Sequence, residues 1–242
     1  MPPEQDFEQE VNMHKRFAGT ENIIRLVDSA IVDVDGRRVG LLLLPMMSRG
    51  TLQDWIATGA YQDPTDALPT ILSSFRGILR GIRAFHRSDP PYAFRDLKPA
   101  NVMLDGRGAV VLVDLGSVAV ARPPVDTPLQ AALLKDMCAS QCTAPFRAPE
   151  LFEPGALGAS ITEKSDIWSV GCTLYACMYG QPPFDGTATA ACSGTFNVPK
   201  TPRYPTPLVD LMKACLALNP ADRPTIEQLI DAFDKVAAQI SG

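Results

Sequence analysis

The chain has 242 residues, with 27 acidic against 22 basic side chains and a formal net charge of −5. At this length a chain buries roughly 70–75% of the surface it exposes unfolded, so neither a disulfide framework nor a structural metal is needed to hold it together. Hydrophobic residues make up 46% and charged ones 20%, which argues against disorder, and the mild acidity leaves no footprint for nucleic acid or an anionic membrane.

In chain order, Gln5 to Phe17 reads as a short charged helix whose apolar positions are Phe7, Val11, Met13 and Phe17. Two β-rich runs follow, Ile23–Val34 and Arg38–Leu44, with Asp35-Gly36 between them as a two-residue hairpin signal. Pro45 ends the second run, and residues 46–50 read as a linker. The longest apolar stretch, Gly40 to Met47, is too short to span a bilayer. Leu68, Ile71, Leu72, Phe75, Ile78, Leu79, Ile82 and Phe85 then keep the rhythm of one buried helix face. Asn101–Leu104 and Ala109–Val113 are short strands joined by Asp105-Gly106-Arg107-Gly108, a second hairpin. From there to Pro149 the chain reads as a Pro-rich loop and a variable-looking stretch. Ser165–Tyr179 is apolar nearly all round and predicts a central buried helix. Leu208–Leu218 and Thr225–Val236 close the chain as amphipathic helices.

Six cysteines, at 138, 142, 172, 177, 192 and 215, form no C-x-x-C pair and find no histidine at zinc-finger spacing, since the two histidines are His14 and His86. Free thiols imply a reducing, cytoplasmic setting.

The polar residues around the second hairpin carry the chemistry. Arg95-Asp96-Leu97-Lys98-Pro99-Ala100-Asn101 precedes it and Asp114-Leu115-Gly116 follows it. A hairpin brings its two ends together, so Asp96, Lys98, Asn101 and Asp114 should converge. Phosphoryl transfer needs these types. A carboxylate orients or accepts the proton of an attacking hydroxyl, a carboxylate and an amide oxygen suit Mg²⁺, and an ammonium offsets charge on the transferred group. Ala148-Pro149-Glu150 completes an ordered set of three motifs, R-D-L-x-x-x-N, D-x-G and A-P-E.

With these motifs the sequence resembles the eukaryotic protein kinases over nearly its whole length. More particularly it is similar to the Numb-associated kinase family in its Golgi-associated Ser/Thr branch, through Met13-His-Lys-Arg-Phe17, Leu42-Leu-Leu-Pro45 with Arg49-Gly-Thr-Leu52, Val113-Asp-Leu-Gly-Ser117, and Gln141-Cys-Thr143 with Phe146 to Phe152. The resemblance implies an α+β, bilobal fold with a mainly helical larger lobe, residues 1–44 being a partial smaller lobe, 45–50 the hinge and 51–242 the larger lobe. It implies a Ser/Thr kinase that uses ATP and Mg²⁺ on a protein substrate. Asp96 would be the base, Lys98 would contact the transferred phosphate, and Thr143 would touch both. Asn101 and Asp114 would hold Mg²⁺. Leu44 would be the gatekeeper, Met47 part of the hinge that grips adenine, and Met103 the pocket floor. Glu150 and Arg223 would form a buried ion pair, and Asp166 would cap the catalytic loop.

Some positions depart from the family pattern. Phe94 stands for the usual His or Tyr and Leu115 for the usual Phe, and both keep the position apolar. No G-x-G-x-x-G and no V-A-I-K precede Glu10, the residue that matches the helix glutamate expected to pair with that lysine. The expectation is therefore an N-terminally truncated kinase, the alternative being a catalytically dead scaffold that binds protein partners. Golgi attachment by acylation needs Gly at position 2, where this chain has Pro2.

Overall fold

The computed structural model describes residues 3–155, 161–199 and 203–241. Met1 and Pro2, which carry the expectation against acylation, lie outside them. Helix α1 (Pro3–Arg16) ends in Lys15 and Arg16, cations suited to the negative end of a helix dipole, and Val11 is buried on its inner side. Strands β1 (Asp28–Val34) and β2 (Arg37–Leu43) pair antiparallel with Val34 opposite Arg37. Both turn residues, Asp35 and Gly36, have positive φ (53° and 75°), the geometry that matches the right-handed twist of a hairpin.

β1 is shorter than its apolar run predicts, because Ile23 leaves the hairpin. Asn22 turns the backbone at φ 65°, and Ile23 forms a parallel bridge with Leu112. Ile24 N–H donates to the Leu112 carbonyl at 2.9 Å and Leu112 N–H donates to the Asn22 carbonyl at 2.8 Å. Residues 22–24 thereby stitch the opening elements onto the second hairpin.

Helix α2 (Leu52–Ala57) starts at a capping box, Thr51 and Asp54 each accepting from the other's backbone. Helix α3 (Pro64–His86) is capped by Asp63 and begins with Pro64, whose missing N–H is no loss in a first turn. Its predicted face is buried, including Ile71, Phe75, Ile78, Ile82 and Phe85, each stabilising by roughly 1.5–3 kcal/mol. Strands β3 (Tyr92–Ala93), β4 (Val102–Leu104), β5 (Val110–Leu112) and β6 (Ala119–Val120) follow; β4 pairs with β5, and β3 with β6 around them. The sheet lies directly on α3 because Gly77 and Gly81 have no side chains. A Cβ at either position would come within 2.7 Å of Val110 or Leu112.

The stretch expected as irregular holds a helix, α4 (Pro128–Gln141). Thr127 caps it, Pro128 occupies its first turn and Gln130 completes a capping box, so three start signals outweighed the local run of prolines. Helix α5 (Lys164–Tyr179) is the central helix, with all but its two end residues buried. It packs against α3 and against α7 (Thr206–Cys215), which follows the short α6 (Ala188–Ser193). Helix α8 (Ile226–Ser241) packs on α3 and α7 and runs past its expected end, while α7 stops at Cys215. Three two-stranded sheets among the described residues, set in a helical majority, give the expected α+β architecture.

Candidate active site

The loop from Phe94 to Asn101 is held from below by one buried carboxylate. Asp166, fully buried near the start of α5, accepts from Phe94 N–H and Arg95 N–H at 2.8 Å each, and its Oδ2 lies 2.9 Å from His86 Nε2. Charge-assisted bonds of this kind fix the backbone, here with Arg95 in the left-handed region at φ 67°. The Ser117 hydroxyl donates to the Phe94 carbonyl at 2.8 Å, and the β3–β6 pairing closes the loop's other side.

Above this base Asp96, Lys98, Asn101 and Thr143 come together. Asp96 is 6% exposed. Its Oδ2 accepts from Lys98 Nζ at 2.7 Å and from Asn101 Nδ2 at 3.0 Å, and its Oδ1 accepts from Thr143 N–H at 2.7 Å. Lys98 Nζ also donates to Thr143 Oγ1 at 2.6 Å. Asn101 Nδ2 donates to the Asp96 carbonyl at 2.9 Å and reaches Asp114 Oδ2 at 3.5 Å. With its nitrogen so engaged, the Asn101 side chain keeps its oxygen as the remaining donor atom for a cation.

Asp114 sits at φ 66°, a backbone state that costs a non-glycine residue roughly 1–3 kcal/mol and marks functional positions. Its carboxyl is accessible, but protein crowds its inner side. Lost hydration, and then the nearby carboxylates of Glu10 and Asp96, raise its pKa above the usual value, against the Gly116 backbone hydrogen bond and then the Lys98 ammonium. Among the described residues no cluster of three His, Cys, Asp or Glu side chains could hold a metal alone. A carboxylate beside an amide oxygen suits Mg²⁺, which takes one or two protein oxygens and fills its other positions with water and phosphate.

The segment carrying Thr143 is anchored at its far end. Arg223 meets Glu150 through two parallel hydrogen bonds of 2.7 and 2.8 Å, both residues being buried. Its remaining donors go to the carbonyls of Ala217, Lys164 and Leu218, and its guanidinium lies 5.1 Å from the Trp168 ring centre. Every charge in this pair is compensated, which is the condition for a buried ion pair to be tolerated.

A cavity of about 710 Å³ opens over the cluster, lined by Asp96, Lys98, Asp114 and Thr143 together with Glu10, Phe7 and Cys142 among others. Asn101 stands behind this wall. Leu44, Met47 and Met103 are not on it: each is half-buried elsewhere, Leu44 and Met47 after β2 and Met103 on β4, where it bridges Thr51. Sequence reasoning had paired Glu10 with a lysine and did not foresee its approach to Asp114. It also missed residues 140–142 at the end of α4, for which the Thr127–Gln130 capping box was the available signal.

The protein kinase domain model matches residues 2–232. The chain belongs to the protein kinase domain family. Serine/threonine-protein kinase 16 of Rattus norvegicus is 34% identical over 249 residues, covering 99% of this chain and 79% of the relative. The Homo sapiens protein of the same name is 35% identical over 246 residues, 98% and 79% of the two chains. Serine/threonine-protein kinase ENV7 of Saccharomyces cerevisiae is 27% identical over 276 residues, 92% and 75% of the two. This kinase domain is thus of the Ser/Thr kind by its relatives, and kinases of the family use ATP and Mg²⁺.

Proposed function

We propose that this kinase domain transfers the γ-phosphoryl group of ATP to a Ser or Thr hydroxyl of a protein substrate. The observation that carries the reading is the single network in which Lys98 joins Asp96 to Thr143 while Asn101 joins Asp96 to Asp114. Asp96 would accept the proton of the attacking hydroxyl, and its Oδ1 is held by the Thr143 N–H so that Oδ2 faces the ammonium. Lys98 would neutralise charge on the transferred group. Asn101 and Asp114 would hold Mg²⁺, which when bound neutralises phosphate charge and so assists departure of the diphosphate. Leu44, Met47 and Met103 remain the proposed adenine contacts. A cytoplasmic setting belongs to the same proposal. It is supported by six cysteines that are all free and by the fact that, among the described residues, no helix is long and apolar enough to cross a membrane.

One observation favours the scaffold reading. Among the described residues Glu10 lies near Asp114 and 3.9 Å from His14 Nε2, and it meets no lysine. Phosphate transfer from γ-labelled ATP to a mixed Ser/Thr protein substrate decides between them. Incorporation by the chain and its loss in Asp96→Asn support the kinase, whereas no incorporation beside measurable protein binding supports the scaffold.

A further inference from the structure

We propose that the cavity between α3, the end of α8 and the segment before α7 binds one free alkyl carboxylate, its tail on the cavity floor and its head at an arginine on the rim. The cavity has a volume of about 750 Å³, within the size range of small-molecule sites. It shares no lining residue with the cavity over Asp96. The two are separate sites, and nothing claimed for this one rests on the kinase reading.

The floor follows from the spacing of residues along one stripe of α3. Pro64, Leu68 and Leu72 recur every four positions, and Arg76 continues the stripe. At 1.5 Å per residue the run from Pro64 to Arg76 is about 18 Å long. Helix α8 packs along α3 and brings Ile240 to the cavity, while Tyr204 and Pro205 close the third side. Leu72 and Tyr204 are 8% and 2% exposed, so both are fixed by their own packing. The Tyr204 hydroxyl is already spent on the Tyr61 carbonyl, to which it donates at 2.8 Å. What Tyr204 offers the cavity is therefore its ring.

The charges on the wall are of one sign. Arg76 and Arg203 line the cavity, Thr65 and Ser73 add hydroxyls, and no carboxylate lines it among the described residues. Arg76 is half-exposed and lies 3.2 Å from Asp234. Arg203 is exposed and forms no ion pair among the described residues. An apolar floor with an unpaired guanidinium at its rim matches a tail that leaves water and a carboxylate that arginine can hold through two parallel hydrogen bonds. An extended peptide would need a strand edge for its backbone, and the walls here are helices and the loop before α7. An acyl chain makes no such demand. The concavity suits one tail, whereas entry into a membrane surface needs a protruding apolar face.

Two quantities follow. Each methylene drawn from water onto the floor tightens binding about fourfold, until the tail outruns the groove. The carboxylate head, through its bonds to Arg203, adds about tenfold over an uncharged head on the same tail.

Calorimetric titration of the full chain with decanoate below its micellar concentration tests the site, with octanoate, decanol and decyltrimethylammonium as comparisons. The expected result is one saturable site, with decanoate about tenfold tighter than either octanoate or decanol and the cation unbound. Arg203→Glu, at an exposed position, should abolish the preference for decanoate over decanol and leave decanol binding intact. Ser73→Trp fills the groove from another exposed position and should abolish both. Thr65→Trp does the same from the next turn toward the start of α3 if Ser73→Trp lowers the melting point. The proposal is overturned if the three heads bind alike, if decanoate adds without saturating, or if neither groove-filling variant changes its binding. It is overturned equally if decanoate finds no site while the chain sediments with phosphatidylserine vesicles or binds an acidic amphipathic peptide, since Arg203 would then serve a membrane or a protein. None of these results bears on phosphate transfer, so a failure here leaves the kinase reading standing.

Discussion

The Lys98 ammonium donates to the Thr143 hydroxyl at 2.6 Å, across 45 positions of sequence. Through this bond the segment after α4 is tied to the loop that carries Asp96. Thr143→Val removes the hydroxyl but keeps the backbone N–H on Asp96. A hydrogen bond to a charged group contributes about 1.5–3 kcal/mol. The expected loss is on the order of 10- to 100-fold in kcat/KM, with a melting point lowered by no more than the loss of this one bond accounts for. Steady-state kinetics beside a melting curve reads both, and a Thr143→Ser variant that restores the rate identifies the hydroxyl as the cause.

Asp96→Asn preserves the shape of the cluster and removes the carboxylate proposed as its base. The turnover should fall by roughly 10²- to 10⁴-fold, the usual range for a general base, while the affinity for ATP stays within a few-fold. Calorimetric titration with nucleotide separates the two parameters. Loss of nucleotide binding would contradict the assignment of Asp96 as base.

Asp114 makes a prediction about pH. Its folded pKa is raised by lost hydration and by the Glu10 and Asp96 carboxylates, so the folded chain holds this proton more tightly than the unfolded one. Stability contributed by the protonated form is complete at pH values below the ordinary carboxylate range and declines as pH rises through the raised folded value. Asp114→Asn mimics the protonated form at every pH. Without divalent cation it should match the parent at about pH 3.5 and be the more stable protein at pH 7, with a gap that narrows in high salt. Urea midpoints at the two pH values measure this. A parent that is the more stable of the two at pH 7 would show that the carboxylate is satisfied by protein alone.

Arg223→Met leaves the Glu150 carboxylate buried without its partner. Breaking a buried ion pair in this way costs about 3–5 kcal/mol. Replacing both members with Met should recover much of that loss, because the unpaired charge is gone. Denaturant unfolding of the two single variants and the double variant forms the cycle, and a double variant as unstable as the sum of the singles would refute the pairing argument.

Residues near each other in sequence were the most readable. The second hairpin, its Asp105-Gly106-Arg107-Gly108 turn and the all-apolar α5 follow from local pattern. The convergence of Asp96, Lys98, Asn101 and Asp114 follows from the hairpin between them. Thr143 joined the set, and Glu150 met Arg223, only through the family resemblance, since nothing local ties a residue to one dozens of positions away. The approach of Glu10 to Asp114 was not readable, because it depends on how α1 settles against residues 115–117. The helix α4 was obscured by its neighbours, with prolines at 123, 124 and 128 suggesting a loop while the third of them was starting a helix.

The pairing of Glu150 with Arg223 also has a consequence in time. The loop and hairpin carrying Asp96, Asn101 and Asp114 are synthesised before residue 120, but the segment bearing Thr143 cannot settle while Glu150 is a buried charge awaiting its guanidinium. At about 5–20 residues per second, the 73 positions between the two occupy a ribosome for several seconds. A nascent chain can thus expose Asp96 and its neighbours well before they are assembled, and the proposed catalytic cluster is complete only once the segment between α7 and α8 has emerged.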